Sequence, residues 1–246
     1  MTTFAALLAG RLRTGPGRPL ITFYDGATGE RTELSVATYA NWVAKTASLM
    51  VEECDLTRGD RLLVDLPAHW LAPVFLGAAW TVGLTVVFDE EDGAADAVVC
   101  GPDAVDRWSA EAAGRPVVAS ALLPLGVRFP GPLPAGVLDF GVEVWGQPDS
   151  FVPWDPPTGA DLAVPSRTQE ELVGAATAGS LPEGVGFTGG GRLLTETGPA
   201  SPSGLASFVE PLARDGSLVL VVRADADRLA ATYAAERATA RQSARS

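Results

Sequence analysis

The chain has 246 residues, 47% of them hydrophobic, with 27 Gly and 19 Pro, which at about 150 residues per domain makes one large folded domain or two small ones. Its formal charge of −12 repels polyphosphates and anionic lipid headgroups at long range, so neither nucleic acid nor a membrane surface is an expected partner. Cys54 and Cys100 are too few for a disulfide scaffold, and no basic, then apolar, then small-residue leader opens the chain, so the expectation is a cytoplasmic protein.

Residues 4–13 read as a short amphipathic helix ended by Pro16 and Gly17. Residues 20–24 and 30–34 are β-prone runs around Asp25-Gly26 and Thr28-Gly29, the turn chemistry of a hairpin. Ser35 then caps a long helix whose apolar positions, Val36, Tyr39, Trp42, Val43, Ala47, Leu49 and Met50, recur at helical spacing. Lys45, the only lysine, falls on the opposite face and reads as a solvated surface residue. Residues 61–66, 69–82 and 84–88 form a βαβ unit with nearly continuous apolar strands, as in a parallel sheet covered on both faces. The run 70–88 is too broken by Pro73, Gly77 and Gly83 to span a bilayer. The pattern repeats at 97–100, 102–113 and 116–119.

From 123 to 165 prolines crowd in, so helices are blocked and only short strands such as 142–145 are expected. A helix returns at 168–178, followed by strands near 185–187 and 192–195, a helix at 202–214, a strand at 217–223 and a helix at 225–237. The tail 241–246 should fray. The expected organisation is α/β, with mostly parallel sheets flanked by helices. Residues 1–122 form a first subdomain, 123–165 an irregular junction and 166–246 a second α/β subdomain.

Five motif-like features reduce to ordinary structure. Gly184-Val185-Gly186-Phe187-Thr188-Gly189 matches the dinucleotide pattern, but it runs into a strand rather than a helix N-terminus, so no helix dipole faces a pyrophosphate. Gly186 to Leu193 imitates a phosphate loop with Arg192 for the required Lys and Leu193 for the Ser or Thr; both segments read as a flexible turn. His69, the only histidine, stands at a strand-to-helix junction and reads as a helix-start residue, while the 54, 69, 100 spacing of Cys, His and Cys matches no zinc cluster. Asp89-Glu90-Glu91-Asp92 lacks the alternation of a calcium loop and reads as a solvated turn.

Taken together, the hairpin, the capped helix, Gly59-Asp60-Arg61, Leu66-Pro67 and the apolar helix carrying Gly77 resemble the opening of the adenylate-forming, AMP-binding acyl-CoA synthetase superfamily over residues 19–119. Later, 169–178 resembles the helix after that family's phosphate loop, and 211–220 resembles its "PL…GGSLVL" stretch. The resemblance implies the fold of the N-terminal part of acetyl-CoA synthetase-like enzymes. It also exposes departures. The Ser/Thr/Gly-rich loop that contacts ATP phosphates should fall between 163 and 167, where only Val164-Pro165-Ser166 stands. The adenine-binding segment, the ribose-binding Asp and the lid with the catalytic Lys have no counterpart, and residues 195–204 hold neither the aromatic nor the His common in acyl-activating relatives.

No catalytic, cofactor-binding or metal-binding residue is therefore assigned, and no cofactor is expected. The leading expectation is a shortened, non-catalytic relative acting as a binding or interaction protein for an unknown small molecule or protein partner. The alternative is a residual acyl-, CoA- or nucleotide-binding enzyme completed by a partner. An uncovered sheet edge should be closed either by the Pro-rich segment, packed through Trp145, Phe151 and Trp154, or by a second copy in a two-fold dimer, with length favouring the former.

Overall fold

The structure, a computed structural model, describes residues 2–91, 93–182 and 186–242. Helix α1 (Phe4–Thr14) begins at Thr3, whose hydroxyl accepts the Ala6 N–H. Strands β1 (Pro19–Asp25) and β2 (Arg31–Ser35) form the expected antiparallel hairpin, whose turn is held by the Asp25 carboxylate accepting the Ala27 N–H at 2.8 Å. Ser35 caps helix α2 (Val36–Glu52) by accepting from Thr38 N–H, one of the orphan donors every helix start must satisfy. The βαβ unit follows as β3 (Arg61–Asp65), α3 (Leu71–Val82) and β4 (Thr85–Val87). Gly83 ends α3 at φ +98, a left-handed conformation that glycine takes without a Cβ clash.

Strand β5 (Ala97–Cys100), helix α4 (Val105–Ser109) and strand β6 (Val117–Ala119) repeat the pattern. Next come β7 (Val137–Asp139), α5 (Phe140–Glu143), and the two short strands β8 (Leu162–Val164) and β9 (Arg167–Thr168). The chain continues through α6 (Gln169–Ala178), β10 (Arg192–Thr195), α7 (Leu205–Ala213), β11 (Ser217–Val222), α8 (Ala226–Ala235) and β12 (Ala240–Gln242).

Two five-stranded sheets carry the molecule. The first runs β12-β10-β11-β1-β2 and is parallel except for β2; the second runs β4-β3-β5-β6-β7 and is parallel throughout. Between them lies one continuous core that joins Ile21, Phe23, Leu218 and Leu220 of the first sheet to Leu62, Val64, Val86 and Val99 of the second through α1, α2, α3, α6 and α7. Smaller clusters cover the outer faces: Leu194, Val219 and Val221 against Leu229 of α8, and Leu63, Val98 and Val117 against Val105 and Trp108 of α4. The layers thus alternate helix, sheet, helices, sheet, helix. Each sheet is apolar on both faces for that reason.

Where the structure departs from expectation, the cause is local. The first sheet joins residues 19–35 to residues 192–242, so the sheets cut across the expected boundaries at 122 and 165. Residues 142–145 are helical rather than extended, lying in α5 and the 3₁₀ turn after it. No proline stands between Pro134 and Pro148, so nothing blocks a helix there, and the strand of this region is β7 instead. That strand adds to β6 and makes the Pro-rich region the edge of the second sheet.

Trp145 packs edge-on against Trp42, with centroids 5.5 Å apart, and Phe151 packs on the core. Trp154, expected to be packed, is instead fully exposed. The outer edge of the first sheet is taken by β12 pairing with β10, so Arg241 and Gln242 are strand residues and not a frayed tail. Residues 243–246 lie outside the described residues.

Candidate functional site

The carboxyl ends of the two sheets face one another, and in open α/β sheets that is where ligands bind. Contact between them is close enough that a Cβ on Gly198, beyond β10, would come within 3.2 Å of Ala68, beyond β3. Beside this seam lies a cleft of about 450 Å³. Phe88, just past β4, forms one wall, the β8–β9 hairpin (164–167) a second, Leu181 and Pro182 after α6 a third, and Pro202 to Ala206 at the start of α7 the fourth. Among the described residues the lining is apolar apart from Ser166, Ser203 and Arg167.

The hairpin wall is a tight structure. Val164 pairs with Arg167, leaving only Pro165 and Ser166 to turn the chain. It is anchored from behind by Trp80, whose indole N–H donates to the Ala163 carbonyl at 2.8 Å. Directly after it, Thr168 and Glu171 form a capping box: the Thr168 hydroxyl accepts the Glu171 N–H, and the Glu171 carboxylate accepts the Thr168 N–H. Those bonds, more than the nearby Arg167 charge, hold the Glu171 carboxyl below its usual range. The positive end of α6 is thus filled by the chain's own carboxylates, Glu170 and Glu171. Gln169 fixes the helix by accepting the Phe4 N–H at 3.0 Å and donating to the Trp80 carbonyl at 2.8 Å.

Arg167 is half-buried and, among the described residues, makes no ion pair or side-chain hydrogen bond; it feels Glu171 only through space. A guanidinium without a partner in an otherwise apolar cleft can form a bidentate pair with a carboxylate or phosphate. Neither Arg167 nor Phe88, Leu181 or Leu205 was singled out from sequence as a site residue. The available signal was the shortened 164–167 stretch itself, and the apolar residues converge on it only through the crossover of the two sheets.

The features weighed from sequence sit elsewhere. His69 is buried at the start of α3, where its Nδ1 accepts the Leu71 N–H at 3.2 Å and its carbonyl the Ala72 N–H, as a helix-start residue does. Burial pushes its pKa down to about 3. Cys54 and Cys100 are free and buried, and burial first, with nearby acids second, pushes both thiols up to about 12; neither is a ready nucleophile.

Among the described residues no cluster of three metal-ligating side chains occurs. Glu90 of the acidic turn pairs with Arg107 and Arg115, while Asp92 lies outside the described residues. So do Gly184 and Val185 of the glycine motif; its remainder leads into β10, where Arg192 and Leu193 are strand residues. Lys45 is not a solvated lysine. Its side chain is 18% exposed, donates to the Gln147 carbonyl and pairs with Asp149 at 3.1 Å.

No family model matches the sequence. A curated protein of Mycobacterium tuberculosis named "TIGR03089 family protein" is 36% identical over 244 residues, covering 97% of both chains. The chain belongs to the TIGR03089 family. Its fold is that of the N-terminal portion of acyl-CoA synthetases. A Brucella canis acyl-CoA synthetase superposes with a TM-score of 0.79 at 15% identity, over 98% of this chain and 47% of the enzyme. A benzoate CoA ligase from Burkholderia xenovorans gives 0.72 at 18% identity, over 97% and 49%. The N-terminal domain of FACL13 from Mycobacterium tuberculosis gives 0.70 at 15% identity, over 97% and 62%. The chain spans about half the length of the first two of these, and no described helix is long and apolar enough to cross a membrane.

Proposed function

We propose that this TIGR03089 family member is a non-catalytic binding protein whose cleft takes a small amphipathic carboxylate, its apolar body against Phe88, Val164 and Leu205 and its anionic end at Arg167. The observation that carries the reading is the Pro165-Ser166 turn. In the resembled enzymes a flexible loop at this place holds ATP phosphates; here the two-residue turn leaves no backbone to wrap a triphosphate, and the helix behind it presents Glu170 and Glu171. Adenylation needs charge neutralisation on the phosphates and a positioned lysine. Lys45, the only lysine, is engaged on α2 with Asp149. Among the described residues the cleft retains an apolar volume with one free cation, enough for recognition without chemistry.

Calorimetric titration with decanoate, 1-decanol and ATP with magnesium tests this. Decanoate should bind saturably and more tightly than decanol, and Arg167→Gln should erase that preference. ATP should give no heat. Saturable ATP binding followed by pyrophosphate release in the presence of decanoate would overturn the reading in favour of a working ligase.

A further inference from the structure

At the opposite end of the first sheet, where β1, β10 and β11 begin, lies a separate notch of about 140 Å³, with room for a tetrahedral oxyanion. Its charged lining residues are Arg11, Arg18, Arg192 and Asp215, with Ser217 beside them. Arg192 spends its guanidinium on the Thr22 hydroxyl and on Glu236, each at 2.7 Å. The charge left to the notch comes from Arg11 and Arg18.

Arg11 is buried in α1 and donates to the Leu212 and Gly216 carbonyls at 3.3 and 3.0 Å. Its one acid partner among the described residues is Asp215, at 3.2 Å, whose side chain is 68% exposed. Burial lowers the Arg11 pKa, Asp215 opposes this, and the nearby Arg18 charge lowers it further. The two cations therefore repel one another across the notch, and Arg18 has no acid partner among the described residues.

One uncharged donor adds to the lining. Ser217 is 5% exposed, and its hydroxyl has no hydrogen-bond partner among the described residues. Gly190, at φ +80, leaves the mouth open: a Cβ there would meet nothing within 4 Å.

We propose that this notch binds a tetrahedral oxyanion, a phosphate or the phosphate of a small phosphomonoester, between Arg11 and Arg18 with Ser217 as an uncharged donor. The anion relieves the repulsion between the two guanidiniums and takes charge-assisted hydrogen bonds from both. Asp215, being mostly exposed, is the group it displaces. The site is distinct from the cleft at the carboxyl ends of the sheets and does not depend on the function proposed for that cleft.

The test is calorimetric titration with inorganic phosphate, sulfate and glycerol phosphate, with chloride at matched ionic strength as control. Phosphate should bind saturably and chloride should not. Arg18→Gln, at an exposed position, removes a repelling charge and should not lower thermal stability in chloride, while it weakens phosphate binding at least about tenfold. Asp215→Asn should tighten it, because the competing carboxylate is gone. Glycerol phosphate binding as tightly as phosphate would identify a phosphomonoester site, and weaker binding a site for the free anion. Absence of saturable phosphate heat, or equal affinity in the parent and Arg18→Gln, would overturn the proposal.

Discussion

Lys45 shows how a single side chain changes meaning once the rest of the chain is in place. Helical periodicity puts it opposite the apolar face of α2, and that is correct, but the segment after Trp145 runs along α2 and supplies Gln147 and Asp149 as its partners. Lys45→Ala should therefore cost about 1 kcal/mol in urea unfolding, the scale of a part-buried pair with one hydrogen bond, where a free surface lysine would cost nothing. His69 offers a sharper measurement. Its pKa is held near 3 by burial against an unfolded value of 6.5, so the unfolded chain binds the extra proton and stability falls as pH drops below the unfolded value. It is the only histidine, and the carboxylates with lowered pKa values lose their contribution only at more acid pH. Between about pH 6.5 and pH 5 the protein should lose about 2 kcal/mol, and His69→Phe should flatten that slope whatever it does to absolute stability. An unchanged slope in the variant would show that His69 is not buried neutral.

Among the elements, Gly77 marks where three helices meet. A Cβ there would lie 2.2 Å from the Tyr39 hydroxyl, 2.8 Å from Phe4 and 3.0 Å from Val43. The Tyr39 hydroxyl itself donates to the Pro73 carbonyl at 2.8 Å in the middle of the core. Gly77→Ala should destabilise by about 1–3 kcal/mol through overpacking, measured as a lower urea midpoint with an unchanged slope. Sequence patterning located this helix, the hairpin and the strands of the βαβ unit because each advertises itself within a few residues: apolar periodicity, a capping hydroxyl, a turn glycine. It misread 142–145 because proline density was averaged over a region whose middle is free of proline. The cleft was less legible still. Phe88, Arg167, Leu181 and Leu205 are ordinary residues in their own neighbourhoods, and only the packing of α6 on α7 and of β8 against β4 brings them to one cavity.

For the whole molecule, the closing of sheet edges decides solubility. The second sheet ends in β7, supplied by the Pro-rich region, and the first in β12, only three residues long. β12 is held by parallel pairing to β10 and by the Thr195 hydroxyl donating to the Gln242 amide oxygen at 3.0 Å. Deleting residues 238–246 leaves β10 paired with β11 on one side only and exposes its other edge, on a strand carrying Leu193 and Leu194. The shortened protein should remain folded but aggregate with rising concentration, as followed by light scattering. A shortened chain that stays monomeric at the concentrations where the parent does would show that β12 protects nothing.

In the first sheet β1 lies next to the edge, between β2 from the same hairpin and β11 from far along the chain, with Ile21 opposite Leu218. The second sheet draws all its strands from residues 61–139. On a ribosome these two histories differ. The second sheet can close while synthesis is still under way, whereas the hairpin must wait, one flank open, until nearly two hundred further residues have been added. At roughly 5–20 residues per second that wait lasts on the order of ten seconds or more. The half-built protein therefore carries an apolar strand in search of a partner for most of its birth, and its yield in a cell depends on how well that interval is chaperoned.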